Sequence, residues 1–217
     1  MDYRHAVKSL LSGNRKPVIA AFDVESLMPR GSVFLTGERI IAISYSVLTE
    51  KIHTSVFVSD DDSESSEYNL LSALDSKLKE TDPDIIIGYN HTGYDIPLIQ
   101  MKIKKLSYEN RLRSIERSFG TAYCLDMMYV IADDLGNYDG DYHIRKLDNV
   151  VTHERYMNLP LQRAKYLTHI DGKTKGDAIK DLWMNDRKSF IRYCTGDSSD
   201  LIYIFMDIIC TLDSRAL

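Results

Sequence analysis

The feature that most narrows the possible folds is a short apolar run, Pro17-Val18-Ile19-Ala20-Ala21-Phe22, that delivers the chain to Asp23-Val24-Glu25. The run has the length and composition of a buried strand, announced by a proline. Side chains alternate faces along a strand, so Asp23 and Glu25 point the same way from its end. Two carboxylates side by side repel each other, and a cation between them removes the repulsion. An all-oxygen donor set favours Mg²⁺ or Mn²⁺. Taken alone, D-x-E reads more simply as a solvated strand end. What shifts the balance is the presence of two further acidic stretches downstream.

At 217 residues the chain suits a single α/β domain with a sizeable core. Its three cysteines, Cys124, Cys194 and Cys210, are odd in number and form no C-x-x-C pair. They read as reduced core thiols of a cytoplasmic protein rather than as a disulfide framework or a zinc site. No stretch has a signal peptide's apolar centre or the length of a membrane span. The net charge of −5 argues against a broad nucleic-acid-coating surface and leaves a nuclease open, since acidic ligands lower the total. Basic residues gather at Lys102, Lys104, Lys105, Arg111, Arg113 and Arg117, and again at Arg163, Lys165, Lys173 and Lys175. Either group reads most simply as a solvated face.

In order, residues 1–16 form a polar lead-in with a short helix from Tyr3 to Leu11, and the fold proper runs over 17–212. Ser26 to Glu38 is a loop. Arg39 to Val47 and Ile52 to Val58 read as an antiparallel pair beside the first strand. A helix from about Glu67 to Lys79 presents Leu70, Leu71, Leu74 and Leu78. Asp82-Pro83 ends it, and Ile85 to Tyr89 is a short buried strand. Tyr94 to Leu106 is helical. Thr121 to Leu125 is a further strand, followed by a helix through Met127, Met128, Val130 and Ile131. Residues 136–143 are expected to be exposed. A short helix from Ile144 to Val151 and a long one from about Arg187 to Leu212 complete the pattern. This order supports a mixed sheet with antiparallel strands first, then β-α-β crossings, flanked by helices.

The second acidic stretch is Gly88-Tyr89-Asn90-His91-Thr92-Gly93-Tyr94-Asp95. A buried strand leads to a tight turn, and Asp95 opens the next helix, where free backbone N–H groups and the dipole favour an acid. Asn90 sits at a strand's C-terminal end, where α/β folds place binding groups. His91 is either a ligand or, more simply, a solvated loop histidine. The third stretch is Tyr193-Cys194-Thr195-Gly196-Asp197-Ser198-Ser199-Asp200. Tyr193 and Asp197 share a helix face at i and i+4, and Asp200 lies near the same stripe. Gly196 among hydroxyl residues disfavours a helix interior, a departure expected at a functional site.

Taken in order, these segments resemble the DEDD superfamily of 3′–5′ exonucleases, and among them the proofreading exonuclease domain of family B DNA polymerases. Asp23-Val24-Glu25 is similar to the first motif. DIIIGYNHTGYDIPLI, Asp84 to Ile99, resembles the second and is the most specific match. Tyr193 to Asp197 resembles the third, Y-x-x-x-D, of the tyrosine type (DEDDy); a histidine type would place His where Arg192 stands. Weaker likeness runs through Arg39 to Val47, Cys124-Leu125-Asp126-Met127 and Ile144 to Val151. The sequence departs from the family at Gly196 and Ser198, and over Leu159 to Asn185. Asp23 to Pro29 (DVESLMP) looks like a polymerase palm motif, but no second palm carboxylates or fingers motif follow.

The resemblance implies a ribonuclease H-like fold in a stand-alone chain, and a two-metal hydrolysis with Mg²⁺ or Mn²⁺. Asp23 would be shared between two ions, with Glu25 and Asp197 completing one site and Asp95 holding the other. Tyr193 would orient the attacking water. Asn90 and Tyr94 would contact the end of a single DNA strand or a frayed 3′ end, and Phe34 would wedge against its terminal base. The product would be a nucleoside 5′-monophosphate. The same chemistry on RNA ends, and a non-catalytic nucleic-acid-binding module of the same fold, are the alternatives. Replication or repair proteins are the partners that the resemblance allows, and the pathway stays open between proofreading in trans, repair and strand-end processing.

Overall fold

The structure, a computed structural model, describes residues 3–13, 15–28, 37–106, 108, 111–136, 146–162 and 175–215. A short helix α1 (Tyr3–Leu11) precedes β1 (Ile19–Leu27), β2 (Arg39–Leu48) and β3 (Ile52–Val58). Then come α2 (Glu64–Thr81), β4 (Ile85–Gly88), α3 (Asp95–Lys105), α4 (Arg113–Thr121) and β5 (Tyr123–Asp126). The chain continues with α5 (Met127–Asp134), α6 (Leu147–Val151), α7 (Lys175–Asn185) and α8 (Arg187–Arg215). Among the described residues no helix is long and apolar enough to cross a membrane.

Five strands form one sheet in the order β3-β2-β1-β4-β5. β1, β2 and β3 are antiparallel neighbours, and β4 and β5 join parallel to β1. This is the mixed sheet expected from the order of elements, and the ribonuclease H-like arrangement that the resemblance implies. Alternation along β1 assigns its residues to two layers. Ala20, Phe22 and Val24 pack with Leu70, Leu71, Leu74 and Leu78 of α2, Leu98 and Ile99 of α3, and Ile115 of α4. Ile19 and Ala21 face the other way, onto Val130 and Ile131 of α5 and Leu201, Ile204 and Phe205 of α8. A third cluster joins Ile41 and Ala42 of β2 to Trp183 of α7 and Phe190, Tyr193 and Cys194 of α8.

Several elements differ from the sequence reading. β1 does not end at the Asp23/Glu25 pair but runs through Leu27, so both acids lie inside a paired strand. Cross-strand pairing with β2, invisible in a hydropathy run, carries it onward. Glu25 pairs with Ala42 but Ser26 with Ile40, so β2 holds Ile41 as one extra residue, a bulge. α2 starts earlier because Ser63 caps it, its side chain accepting from the Ser66 N–H. α4 is too short and too charged for apolar periodicity to mark it in the sequence. The glycine at 196 does not interrupt α8, which is continuous there. The buried Ser198 instead reaches the sheet: its Oγ lies 2.8 Å from Ser46 Oγ, which lies 2.7 Å from Thr54 Oγ1. Of the cysteines, Cys194 is buried but Cys210 is exposed, outside any core.

Lys102 also departs from the basic face on which the sequence put it. It is 1 % exposed, its Nζ is 2.9 Å from Glu67 Oε1, and it donates to the Glu38 carbonyl. Glu67 in turn accepts from the Ile40 N–H beside the bulge at 2.9 Å. Removing one member of a buried pair leaves the other charge uncompensated. Glu67→Ala should therefore lower folding stability by about 3–5 kcal/mol in urea titrations. A loss of well under about 1 kcal/mol, the range of exposed pairs, would show that Lys102 is not held by this contact.

Candidate active site

Three elements bring carboxylates together. Asp23 and Glu25 project from one face of β1, and α8 crosses that face with Asp197. Oxygens of these three side chains lie within 4.8 Å of one another, with Glu25 and Asp197 buried. Among the described residues no other such group of acidic, histidine or cysteine side chains is found. The donor set is oxygen throughout, and so fits a hard divalent cation such as Mg²⁺ or Mn²⁺.

Asp95 borders the group without being part of it. It is the first residue of α3, is 3 % exposed, and its Oδ1 accepts from the Val24 N–H at 3.0 Å, between the two β1 acids. Burial pushes its pKa well above the usual carboxylate range, and the negative charge of Asp23, then of Glu25, pushes the same way. The N–H groups of Val24 and of Asp95 itself partly offset this.

The turn that positions Asp95 is shaped by close contacts. A Cβ on Gly88 would come within 2.6 Å of the His91 side chain, and one on Gly93 within 2.7 Å of Asn90 Oδ1. Asn90 has φ +56°, a conformation asparagine tolerates better than most residues. His91 is not solvated: it is fully buried, its ring edge-on to Phe22 at 5.9 Å. Burial lowers its pKa. Asp126, at the end of β5, ties this turn down. Its Oδ1 accepts from the N–H groups of Asn90 at 2.8 Å and Met128 at 3.1 Å, and its Oδ2 accepts from Thr92 Oγ1 at 2.6 Å. Sequence reasoning gave Asp126 no role, although an acid directly before an apolar helical run is a cap signal.

The remaining candidates are placed as follows. Tyr193 lies one turn before Asp197 on α8, its ring among Ile41, Ala42, Trp183 and Phe190. Asn90 is exposed at the turn. Tyr94 is half-buried and its hydroxyl donates to Glu38. Its pKa is raised, by burial first and by that bond second. Phe34 lies outside the described residues, as do Arg163, Lys165 and Lys173. Asp200 does not face solvent, and it is not one of the three grouped carboxylates. It is fully buried, and its Oδ1 accepts from the Gln162 N–H at 2.9 Å and from Ser199 Oγ at 3.3 Å.

Comparison with known proteins agrees with this geometry. The family model for the DNA polymerase family B exonuclease domain matches residues 1–125. A DNA polymerase of Pyrococcus horikoshii is 34 % identical over 102 residues, which make up 44 % of this chain and 8 % of that protein. One of Thermococcus litoralis is 33 % identical over 102 residues, 44 % of this chain and 6 % of that protein. The chain thus spans a small part of the length of these curated relatives. The structure of the family B DNA polymerase from Pyrobaculum calidifontis superposes with a TM-score of 0.64 at 19 % identity, over 90 % of this chain and 25 % of that one. That likeness concerns the fold. Tyr193 and Asp197 lie beyond the residues the family model matches, and Asp197 joins the β1 acids through the path of α8. With more than half of its residues matched, the chain belongs to the exonuclease domain family of family B DNA polymerases, a family of 3′–5′ exonucleases.

Proposed function

We propose that the chain trims single-stranded DNA from its 3′ end, one nucleotide at a time, releasing nucleoside 5′-monophosphates with two Mg²⁺ or Mn²⁺ ions. The observation that carries this reading is the convergence of Asp23, Glu25 and Asp197 from two elements, bordered by Asp95 from a third. Asp23, Glu25 and Asp197 would hold one ion, and Asp23 with Asp95 the other. Bound there, such ions supply an acidified water and offset the charge that develops at the phosphate and the leaving oxygen.

The chain's own residues do the rest. The Tyr193 hydroxyl, one helical turn from Asp197, orients the water for attack in line with the terminal phosphodiester. The water oxygen bonds to phosphorus, the bond from phosphorus to the 3′-oxygen breaks, and that oxygen leaves with a proton. Asn90, exposed on its left-handed turn, and the ring of Tyr94 border the strand end. Asp126 and the two close-packed glycines keep that turn from moving relative to Asp95. A 5′-labelled oligonucleotide incubated with Mn²⁺ should shorten in single-nucleotide steps, and Asp23→Ala should abolish this. Internal cuts, or consumption from the 5′ end, would overturn the reading.

Asp95 gives the metal-free protein a pH dependence of stability. Its folded pKa is raised above the ordinary value of 3.8, so its protonated form stabilises the fold at low pH. That contribution is lost as pH rises through the raised folded value. Asp95→Asn keeps an oxygen for the Val24 N–H and removes the charge. In EDTA at pH 7 it should melt at least about 2 °C higher than wild type, with the gain vanishing near pH 4. Calorimetry at the two pH values decides, and equal midpoints at both would show that the acids do not repel as placed.

Asp197 and Asp200 separate by position. Asp197 belongs to the carboxylate group, whereas Asp200 accepts from the Gln162 backbone N–H. Asp197→Asn should cost several orders of magnitude in trimming rate. Asp200→Asn, which keeps an acceptor oxygen, should cost much less. Loss confined to the Asp200 variant would place the third acidic position elsewhere on α8.

A further inference from the structure

We infer that Glu38 is a positioning residue for the proposed reaction: its carboxylate ties the end of β1, opposite the β2 bulge, to the start of α3, and so sets the acids of the two elements in register for their cations. The inference rests on the exonuclease reading above. Glu38 is 2 % exposed, yet it lies just before β2, where a charged side chain would ordinarily reach solvent. Its Oε2 accepts from Ser26 Oγ at 2.8 Å and from the Tyr94 hydroxyl, and those two hydroxyls lie 2.6 Å apart. Ser26 directly follows Glu25, at the point where the pairing register shifts. Tyr94 directly precedes Asp95, and caps α3 without any side-chain bond to the helix's own N–H groups. One carboxylate oxygen therefore gathers the immediate neighbours of two proposed ligands.

Glu38 is itself held from behind. Its carbonyl accepts from Lys102 Nζ, and the Glu67 that pairs with Lys102 also binds the Ile40 N–H. Ser59 completes the enclosure of the bulge, its N–H and Oγ donating to the Ile41 carbonyl at 2.9 and 3.0 Å. Bulges re-aim side chains, and the direction of Glu25 depends on this one staying fixed. Groups that orient metal ligands through such contacts typically change metal affinity by about 10–100-fold when removed.

The test compares wild type with Glu38→Ala, Glu38→Gln, Tyr94→Phe, Ser26→Ala and the Glu38→Ala/Tyr94→Phe double variant. Mn²⁺ affinity is measured directly by calorimetry without DNA. The Mn²⁺ concentration for half-maximal trimming, the KM for the oligonucleotide and kcat at saturating Mn²⁺ are measured alongside. Glu38→Ala and Tyr94→Phe should each weaken Mn²⁺ by about 10-fold or more, with kcat at saturating Mn²⁺ falling less than the affinity. Glu38→Gln, which keeps an oxygen in place, should recover most of the loss. The double variant should be no weaker than the weaker single, because both remove one shared contact. Unchanged Mn²⁺ affinity in both single variants, or additive losses in the double, overturns the inference. Should Glu38→Ala fail to fold, Tyr94→Phe and Ser26→Ala decide in the same way. A wild type that trims normally beside variants of unchanged affinity sinks the clamp alone. Weakened Mn²⁺ binding in a chain that trims nothing leaves the clamp standing and removes the exonuclease reading.

Discussion

Mutual repulsion among carboxylates that share a poorly solvated space governs how this fold is assembled. Asp23, Glu25 and Asp197 approach within 4.8 Å, and Asp95 is pressed against them by a bond to the Val24 N–H. In water such a group would disperse. Here the acids sit on three kinds of support: two on the part of β1 that pairs with β2, one at a helix start, one in the middle of a long helix. The backbone under each acid is therefore fixed by strand pairing or helix formation. The strain persists because the surroundings over-determine it, which is how proteins keep charge concentrated for a ligand.

The polar groups around the acids follow the same logic of enclosure. Ser198, Ser46 and Thr54 join α8 to β2 and β3 through hydroxyls in place of an apolar contact. Asp126 holds the turn after β4, and Lys102 with Glu67 holds the backbone beside the bulge. Each buried polar atom in these sets has a partner, and a satisfied buried network resists deformation more than a greasy contact does.

Much of this was legible in the chain because the signals are local. The run ending at Phe22, the leucines of α2 and the triple isoleucine of β4 each announce an element by periodicity, and the spacing of Tyr193 and Asp197 announces a helix face. What was not legible depends on partners far away in sequence. β1 extends past its acids because β2 pairs with it. His91 reads as a loop residue, yet Gly88 leaves a space that the imidazole fills against Phe22. Lys102 reads as one of a solvated series, and only Glu67, on another helix, accounts for its burial. Asp200 looks like a rival of Asp197 until the backbone of Gln162 is found beside it.

The length of α8 has a consequence beyond holding one acid. Its 29 residues span about 43 Å at 1.5 Å per residue. Along it, Asp197 meets the acids of β1, Ser198 meets β2, and Asp207 meets Arg155 from the short 3₁₀ turn Glu154–Tyr156. An unbroken helix fixes the angle between these contacts as rigidly as their separation. Inserting or deleting one residue between Ser198 and Asp207 would rotate one end against the other by about 100°, and both ends could not then be seated. In an evolving lineage this stretch can change its letters but not its count, so length there should drift far less than in the loops at either end of the sheet.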